Sequence, residues 1–507
     1  MFEDNKKNAS GSRGHKGYHI PELVVGCGDT VADLIEQLNT LKNAAADAPE
    51  CSGLLKRLSH ETHDRIRKTK ALGNLRIAVT AYTEREIEKK LTAMHEMITA
   101  EPDQPFSFPT AGLFYGVGAP VGRTAFLFPG QGAQYLGMGG PLAGAVPAAG
   151  RVWDRLGAMP FDGSTIGDMV FPEDTADEDK AKAAFFRLSA ADWASPAISV
   201  VGEAIFVLLQ KMGVYPDTVG AHSFGDISAY RAAGIFTPED MVRVTRYRGE
   251  LGVACPLATR GCILVVPEPA ERVLGILADD QLEDVWVANY NTPVQTVLSG
   301  VKAAVYKAHE VFTEKGINSR PLPISAAPHC PLAVDVAEQF FDYLGGIDFK
   351  PAQCDVYSFL FGRKVAQNDP GLFRKLLKAH VEKPVRFQSQ IEQMYADGIR
   401  LFVEIGPSDM LTNLVGQILT DKPHVALCTD RKKGDAVLVF LNAAAELFKQ
   451  GLIKDLEVLW EGYGIPAYCD DNGRQADAPR QETLKMLKKL DMELARINSS
   501  RASAQAV

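Results

Sequence analysis

The sequence lacks the features that mark several large classes of protein. Its eight cysteines are scattered and include no Cys-x-x-Cys pair, which argues against a zinc ribbon or a disulfide framework and favours a reducing, cytoplasmic environment. No apolar run approaches the roughly 18 residues of a membrane span, and no apolar signal core follows the polar start. Positive charge is in deficit: 54 basic and 63 acidic residues give a net charge of −9, which disfavours nonspecific binding to nucleic acid or acidic membranes.

The texture of the chain predicts more than one structural unit, because 507 residues that are 46% hydrophobic can bury more than one core. Residues 1–20 are polar and contain three glycines, so we expect a disordered leader there. Short apolar runs alternate with helical patterns over residues 21–120, which predicts a small α+β domain with no chemistry of its own. The prolines of residues 101–110 indicate a boundary.

A serine at position 223 is placed as a nucleophile would be. The run Gly-Ala-His-Ser-Phe-Gly at 220–225 lies between a short apolar stretch and a helix-like stretch. A serine hydroxyl can attack a carbonyl when a sharp strand-to-helix turn presents it, with small residues two before and two after. Gly225 meets this requirement fully and Ala221 approximately. Taken alone, the pattern is equally compatible with an ordinary tight turn.

A glycine-rich loop, Pro-Gly-Gln-Gly-Ala-Gln at 129–134, follows a buried-strand pattern at 124–128. Glycines on both sides of Gln131 allow the backbone to turn an amide N–H toward a cavity. By itself the loop fits either a phosphate cradle or a plain strand-to-helix turn. It lacks the Gly-Lys-Ser/Thr ending of a nucleotide-binding loop, so nucleoside triphosphate binding is disfavoured.

Ordered blocks along the chain resemble the malonyl-CoA:acyl-carrier-protein acyltransferase family, which includes the acyltransferase domains of polyketide, polyunsaturated fatty acid and animal fatty acid synthases. After the glycine-rich loop and the serine turn, the matching blocks are Arg-Tyr-Arg-Gly-Glu at 246–250, Asn-Tyr-Asn-Thr-Pro-Val-Gln at 289–295, Ser-Ala-Ala-Pro-His at 325–329, Lys-Pro-Val-Arg-Phe at 383–387 and Glu-Ile-Gly-Pro at 404–407. The upstream α+β unit is similar to the linker domain that joins ketosynthase to acyltransferase in polyketide synthases.

The resemblance implies an α/β fold with an α/β-hydrolase-like large subdomain built from residues 121–255 and 324–460. Residues 256–323 alternate strands and helices in a way that suits an inserted ferredoxin-like small subdomain. Residues 461–507 are expected to form a linker and an amphipathic helix. That helix could dock a partner, but packing against the chain's own body is favoured.

The resemblance also implies a set of catalytic roles. Ser223 would carry the acyl group between two transfer steps, and His329 would act as its base. The backbone N–H groups of Gln131 and Phe224 would form the oxyanion hole. The family uses a backbone carbonyl to orient the base, and the matching position is Arg386, so no triad aspartate is required.

Arg248, 25 residues after Ser223, matches the substrate-binding arginine of the family. A guanidinium presents a planar fork that pairs with a carboxylate, as the free acid of a malonyl group requires. Without the resemblance, a surface arginine on a helix would be the better interpretation. Further candidates for the acyl pocket are Ser195, Asn291, Pro328 and His222. His222 is expected to have a packing or hydrogen-bonding role, because neighbouring side chains of a serine turn point away from each other.

The expected function is therefore transfer of a malonyl-type unit from CoA to the phosphopantetheine thiol of an acyl carrier protein, through an acyl-serine intermediate. Malonyl-CoA or a substituted malonyl-CoA would be the substrate, with no tightly bound cofactor and no metal. A ketosynthase or other synthase subunits are further candidate partners, whereas nucleic acid and membrane are not. Two alternatives stay open, a thioester hydrolase that clears carrier proteins and a catalytically silent docking scaffold. The sequence does not distinguish a discrete enzyme from a piece of a larger synthase.

Overall fold

The computed structural model describes residues 20–47, 53–69, 72–255, 261–322, 327–461 and 480–505. These residues form a four-stranded N-terminal sheet, a six-stranded central sheet and a second four-stranded sheet inserted into the central unit. Most of the expected leader and of the expected C-terminal linker lies outside the described residues. So do Ser325 and Ala326 of the block that ends at His329.

The N-terminal unit is an antiparallel sheet of order β1-β2-β4-β3 with helices packed against it. Its elements are β1 Glu22–Gly28, α1 Val31–Ala46, α2 Leu54–Lys68, β2 Leu75–Ala81, α3 Glu84–Ala100, β3 Phe106–Phe108 and β4 Leu113–Val117. The boundary predicted at 101–110 is wrong, because β3 lies within that segment and pairs with β4. The rings of Phe106 and Phe108 stack with centroids 5.3 Å apart. Prolines flank this edge strand, where they remove no ladder hydrogen bond.

The central sheet has the order β14-β13-β8-β5-β15-β16, and its strands are parallel except for β14. The strands are β5 Arg123–Phe128, β8 Thr218–Ala221, β13 Asp355–Ser358, β14 Arg363–Lys364, β15 Ile399–Glu404 and β16 Val425–Cys428. The predicted α/β fold is confirmed, and its central sheet is mainly parallel. Since β5 and β8 are neighbours, the glycine-rich loop and the serine turn leave the sheet side by side at its carboxyl edge.

Helices cover the central sheet on both faces. Those between β5 and the inserted sheet are α4 Gly140–Ala145, α5 Pro147–Val152, α6 Ile166–Val170, α7 Glu178–Leu188, α8 Ala191–Lys211, α9 Gly225–Ala232 and α10 Pro238–Ala254, with a short hairpin of β6 Pro160–Phe161 and β7 Ser164–Thr165. The later ones are α13 Val334–Tyr343, α14 Pro370–Glu382, α15 Phe387–Ala396, α16 Met410–Ile418 and α17 Ala436–Lys449.

One helix among the described residues, α8, is long and apolar enough to span a membrane, but 83% of its most apolar window is buried inside the protein. The sequence contains no uninterrupted apolar run here because Glu203 lies within the helix. That carboxylate forms a 2.6 Å ion pair with Arg231 in the interior. Helix α8 is therefore a core helix of the central unit.

The inserted sheet is antiparallel and has the order β10-β11-β9-β12. Its elements follow the order β9 Gly261–Val266, α11 Ala270–Asp279, β10 Val285–Thr292, β11 Gln295–Val301, α12 Lys302–Glu314 and β12 Arg320–Pro321. This βαββαβ sequence is the ferredoxin-like arrangement. The sheet has a hydrophobic core of its own, separate from that of the central unit.

The C-terminal helix, α18 Arg480–Gln505, packs against the N-terminal unit. Leu490 and Ile497 are buried in the core of that unit, and Asp491 accepts a 2.7 Å hydrogen bond from Lys89 on α3. The helix thus folds back onto the chain, as the amphipathic pattern led us to favour.

A buried histidine joins the N-terminal unit to the central one. Trp460 donates an indole hydrogen bond of 2.7 Å to Nδ1 of His63, whose Nε2 lies 2.7 Å from the carbonyl oxygen of Leu23. Because an indole N–H can only donate, His63 carries its proton on Nε2 and donates it to Leu23. Burial lowers the pKa of His63 to about 3, so this imidazole is neutral.

Candidate active site

Ser223 occupies a strained turn between β8 and α9. Its φ of 56° lies in the left-handed region, which a residue with a side chain adopts only when the surroundings impose it. The surroundings here are the crossing backbones of two loops: His222 N donates to Phe128 O at 3.0 Å. A Cβ at Gly225 would lie 2.2 Å from Phe128 O, and one at Gly130 would lie 2.7 Å from His222 O. Both glycines are therefore required for the turn to form.

The structure brings Ser223 and His329 together. Ser223 Oγ lies 2.7 Å from His329 Nε2, although the two residues belong to distant parts of the chain. The imidazole is 2% exposed, and its backbone N–H donates to Val381 O at the end of α14. Burial, the Arg248 cation and the neighbouring His222 lower the pKa of His329 to about 3. A neutral imidazole at this distance can accept the proton of the serine hydroxyl.

The carbonyl that orients His329 belongs to Lys383, and the prediction that Arg386 supplies it is wrong. His329 Nδ1 lies 3.1 Å from Lys383 O, so that nitrogen donates its proton there. Arg386 instead begins α15, where its carbonyl accepts a 3.1 Å hydrogen bond from Gln390 N. Its exposed guanidinium lies over the ring of Tyr290 at 5.3 Å. The C-terminal end of α14 thus holds the base, and its partial negative charge favours the imidazolium that forms during reaction.

The backbone N–H groups of Gln131 and Phe224 lie in the two loops that meet at the turn. Neither donates a hydrogen bond to the part of the chain that the structure describes. Side chains fix the shape of the glycine-rich loop: Gln131 Nε2 donates to Ser189 O at 3.1 Å, and Gln134 Oε1 accepts from Gly132 N at 2.7 Å. That the backbone N–H groups of Gln131 and Phe224 form an oxyanion hole stays a prediction.

Arg248 is a buried cation without a counter-ion among the described residues. Its Nε donates a 2.8 Å hydrogen bond to His380 Nε2, and its guanidinium carbon lies 6.0 Å from the ring centre of Phe224. Burial lowers the pKa of Arg248 to about 10, which leaves the group charged at neutral pH. An unpaired buried charge costs several kcal/mol of stability, so this position is built for an anion that the described residues do not supply.

The neighbouring Arg246 shows the contrast. It is 3% exposed by its side chain and forms ion pairs with three carboxylates, those of Asp162, Asp192 and Glu250. Its guanidinium also lies 4.2 Å from the ring centre of Trp193. Arg246 is therefore a structural residue that fixes α10 against α8. The two arginines lie on one helix, but among the described residues only Arg246 has carboxylate partners.

The other predicted pocket residues have different surroundings. His222 Nε2 lies 2.9 Å from Asn291 Oδ1, which supports its predicted hydrogen-bonding role and connects the serine turn to β10. Asn291 in turn donates to Gln295 Oε1 at 2.8 Å. Ser195 is fully buried on α8, and its hydroxyl has no hydrogen-bond partner in the described structure. Pro328 is half-buried immediately before His329.

His380 is a site residue that the sequence analysis missed. It lies on the buried face of α14 with Phe373, Leu376 and Leu377, at the helical spacing of a core-facing position. A histidine on such a face was the available signal, because a buried imidazole needs a partner. Its contact with Arg248 joins residues 132 positions apart and cannot be inferred from local pattern.

Comparisons with known proteins agree with this architecture. The family model for the acyl transferase domain matches residues 125–452. The malonyl CoA-acyl carrier protein transacylase of Bacillus subtilis is 31% identical over 302 residues, which cover 59% of this chain and 91% of that protein. The phenolphthiocerol synthesis polyketide synthase type I Pks15/1 of Mycobacterium marinum is 30% identical over 380 residues, or 73% of this chain. This chain spans only 17% of that synthase.

A solved structure, the acyltransferase domain from the second module of the salinomycin polyketide synthase, matches with a TM-score of 0.63 at 28% identity and covers 87% of this chain and 98% of that one. The chain belongs to the acyl transferase domain family. It is an enzyme of the acyltransferase class, related to malonyl-CoA:acyl-carrier-protein transacylases and to the acyltransferase domains of polyketide synthases.

Proposed function

We propose that this acyltransferase moves a malonyl-type unit from CoA to the phosphopantetheine thiol of an acyl carrier protein, by way of a covalent acyl-Ser223 intermediate. The observation that carries the proposal is the buried Arg248, which has no counter-ion among the described residues, next to the hydrogen-bonded Ser223–His329 pair. A guanidinium whose two Nη groups donate to none of the described residues pairs well with the free carboxylate of a malonyl group. The name of the Bacillus relative supports both the malonyl donor and the carrier protein.

In the first half-reaction, Ser223 Oγ attacks the thioester carbonyl carbon while its proton passes to His329 Nε2. Negative charge then develops on the carbonyl oxygen, within reach of the amides of Gln131 and Phe224. The tetrahedral intermediate collapses by breaking the carbon–sulfur bond. The CoA thiolate takes the proton from His329, and the acyl group remains on the serine.

The second half-reaction reverses these steps with a different thiol. The phosphopantetheine thiol gives its proton to His329 Nε2 and attacks the acyl-serine carbonyl. The ester bond to Ser223 Oγ then breaks, and the serine alkoxide takes the proton back from His329 Nε2. The hydrogen bond from Nδ1 to Lys383 O keeps the imidazole in the tautomer that both half-reactions need.

Arg248 also bears on the two alternatives. A hydrolase that removes uncharged acyl chains has no use for a buried cation at the acyl site. The cation would have no anionic group to bind, and its burial would lower the stability of the protein. A silent scaffold has no need of a 2.7 Å hydrogen bond between a strained serine and a buried neutral imidazole. Arg248 thus favours an acidic acyl group, and the Ser223–His329 pair favours a catalytic role over a scaffold.

Intact-protein mass spectrometry after incubation with malonyl-CoA or acetyl-CoA tests the proposal. We expect the mass increase of a malonyl group on the wild-type protein, its absence in Ser223→Ala, and its removal when acyl carrier protein is added, with the gain appearing on the carrier. Loading that persists in Ser223→Ala would overturn the mechanism. Release of the acyl group to water at the same rate with and without carrier protein would favour the hydrolase.

A further inference from the structure

A second buried histidine lies beside the site, and the proposed mechanism does not use it. His380 is fully buried, and its Nε2 accepts the hydrogen bond from Arg248 Nε at 2.8 Å. An arginine cannot accept, so His380 Nε2 must carry a lone pair and the ring must be neutral. Burial and the Arg248 cation hold the pKa of His380 well below its usual range, in agreement with that requirement.

This contact limits how Arg248 can bind an anion. A guanidinium pairs with a carboxylate either through Nε and one Nη or end-on through both Nη groups. His380 occupies Nε, and none of the described residues accepts a hydrogen bond from either Nη group, which leaves the end-on pair for a ligand in this part of the chain. The ring itself is held in place by Phe340 and Phe359, whose centroids lie 5.9 Å and 6.3 Å from it. The orientation of the arginine is therefore fixed by packing as well as by the hydrogen bond.

The choice of histidine also matters for charge. Aspartate or glutamate could hold the same N–H, but either would neutralise Arg248 and repel an anionic acyl group. A neutral imidazole accepts the hydrogen bond and leaves the full positive charge available. Among the described residues, no carboxylate lies within ion-pairing distance of Arg248 to offset it.

We propose that His380 is a positioning residue that holds Arg248 end-on toward the carboxylate of the acyl group and so sets the preference for acidic over neutral acyl thioesters. The inference rests on the proposed function, since it presupposes that an acyl group reaches Ser223. It assigns no chemical step to His380. The same helix end carries the carbonyl that orients His329, so α14 positions both the base and the cation.

Three substitutions separate the hydrogen bond from the charge. His380→Gln keeps a neutral acceptor, His380→Leu removes the acceptor, and His380→Glu keeps an acceptor but adds negative charge. The measurement is kcat/KM for loading of Ser223 from malonyl-CoA and from acetyl-CoA, with thermal unfolding to verify the fold. We expect the leucine variant to lose about 10-fold more on malonyl-CoA than on acetyl-CoA, as the loss of one hydrogen bond to a charged group implies.

The glutamine variant should recover most of the malonyl preference, and the glutamate variant should lose it. In the background of Arg248→Met, His380→Leu should lower malonyl loading little further, because the two residues act as one unit. Equal losses on both substrates in the leucine variant, or a glutamine variant as poor as the leucine one, would overturn the inference. If the leucine variant does not fold, the comparison of glutamate with glutamine decides in the same way.

The outcome is distinct from failure of the proposed function. A wild-type protein that loads no acyl group on Ser223, or that loads acetyl and malonyl groups equally, would contradict the proposed function itself. A wild-type protein that prefers malonyl-CoA and loses the preference in Arg248→Met, but keeps it in all three His380 variants, would leave the proposed function intact and remove the role of His380.

Discussion

Replacing Arg248 with methionine should separate the effect of the buried cation on folding stability from its role in binding the malonyl group. Methionine keeps an unbranched apolar stem but ends two heavy atoms short of the guanidinium Nη atoms, so the change removes the charge and the hydrogen bonding while most of the stem remains packed. Transfer of a malonyl group should then fall by about 10- to 150-fold for each charge-assisted hydrogen bond lost. Transfer of an acetyl group should fall far less, because its methyl group makes no use of the guanidinium.

The effect on stability follows from the burial of the charge. Desolvation lowers the pKa of Arg248 from its ordinary value to about 10. A decrease of that size corresponds to roughly 3 kcal/mol of penalty on the charged form. Methionine removes this penalty but leaves His380 Nε2 without its donor, which costs about 1–3 kcal/mol. The free energy of unfolding should therefore stay the same or rise by up to about 2 kcal/mol.

Urea unfolding and acyl loading of the same preparations provide the assay, and Arg246→Met is the matched control on the same helix. Arg246 has three carboxylate partners, so its loss should destabilise the protein by about 1–3 kcal/mol and affect both acyl groups alike. A marked destabilisation by Arg248→Met, or equal losses on malonyl-CoA and acetyl-CoA, would contradict this role of Arg248.

Three further predictions concern the turn and the buried histidines. Gly130→Ala places a Cβ 2.7 Å from His222 O, so Ser223 loading should fall at least about 10-fold, whereas Gly252→Ala, with open space around it, should not change loading. Because the pKa of His329 is about 3, loading at pH 5–7 should show no acid limb near 6.5; in Arg248→Met the limb should move to higher pH, since a cation that disfavours the imidazolium is gone. The unfolded chain binds a proton on His63 near pH 6.5, whereas folded His63 binds it only near pH 3. The unfolding free energy should therefore decrease as the pH is lowered from about 6.5 to 3, and His63→Gln should reduce that slope by up to about 1.4 kcal/mol per pH unit.

A pH slope of the unfolding free energy in His63→Gln that is as steep as in wild type would contradict the last of these, and a wild-type acid limb at pH 6.5 would contradict the second. Gly130→Ala with full loading would show that the turn tolerates a side chain where the two loops cross.

Site residues that act through a distinctive side chain could be predicted from the sequence, whereas a group that acts through its backbone could not. Ser223 and His329 carry recognisable side chains in ordered blocks, and the structure places them 2.7 Å apart. The error at Arg386 arose because the orienting group is a carbonyl, which every residue has. Which carbonyl is free depends on where α14 ends and α15 begins, and that boundary leaves the one at Lys383 for the imidazole.

The elements missed from sequence are those fixed by tertiary contact. Prolines on both sides of β3 suggested a boundary, yet the stacking of Phe106 on Phe108 and the pairing with β4 keep the segment in the sheet. His380 has no motif, and its significance appears only when α14 is packed against α10. Local pattern could place it on a buried face but could not name its partner.

The segment between α14 and α15 has a consequence for protein engineering. Val385 forms backbone hydrogen bonds of 2.8 Å with both Ala288 and Tyr290 of the inserted sheet, two residues after the Lys383 carbonyl that orients His329. We therefore expect a change in the tilt of the inserted sheet to move the segment that orients the base. A chimera that exchanges residues 261–322 for those of a relative must carry 383–387 with them, or the graft will displace the imidazole even though the exchanged part contains neither Ser223 nor His329.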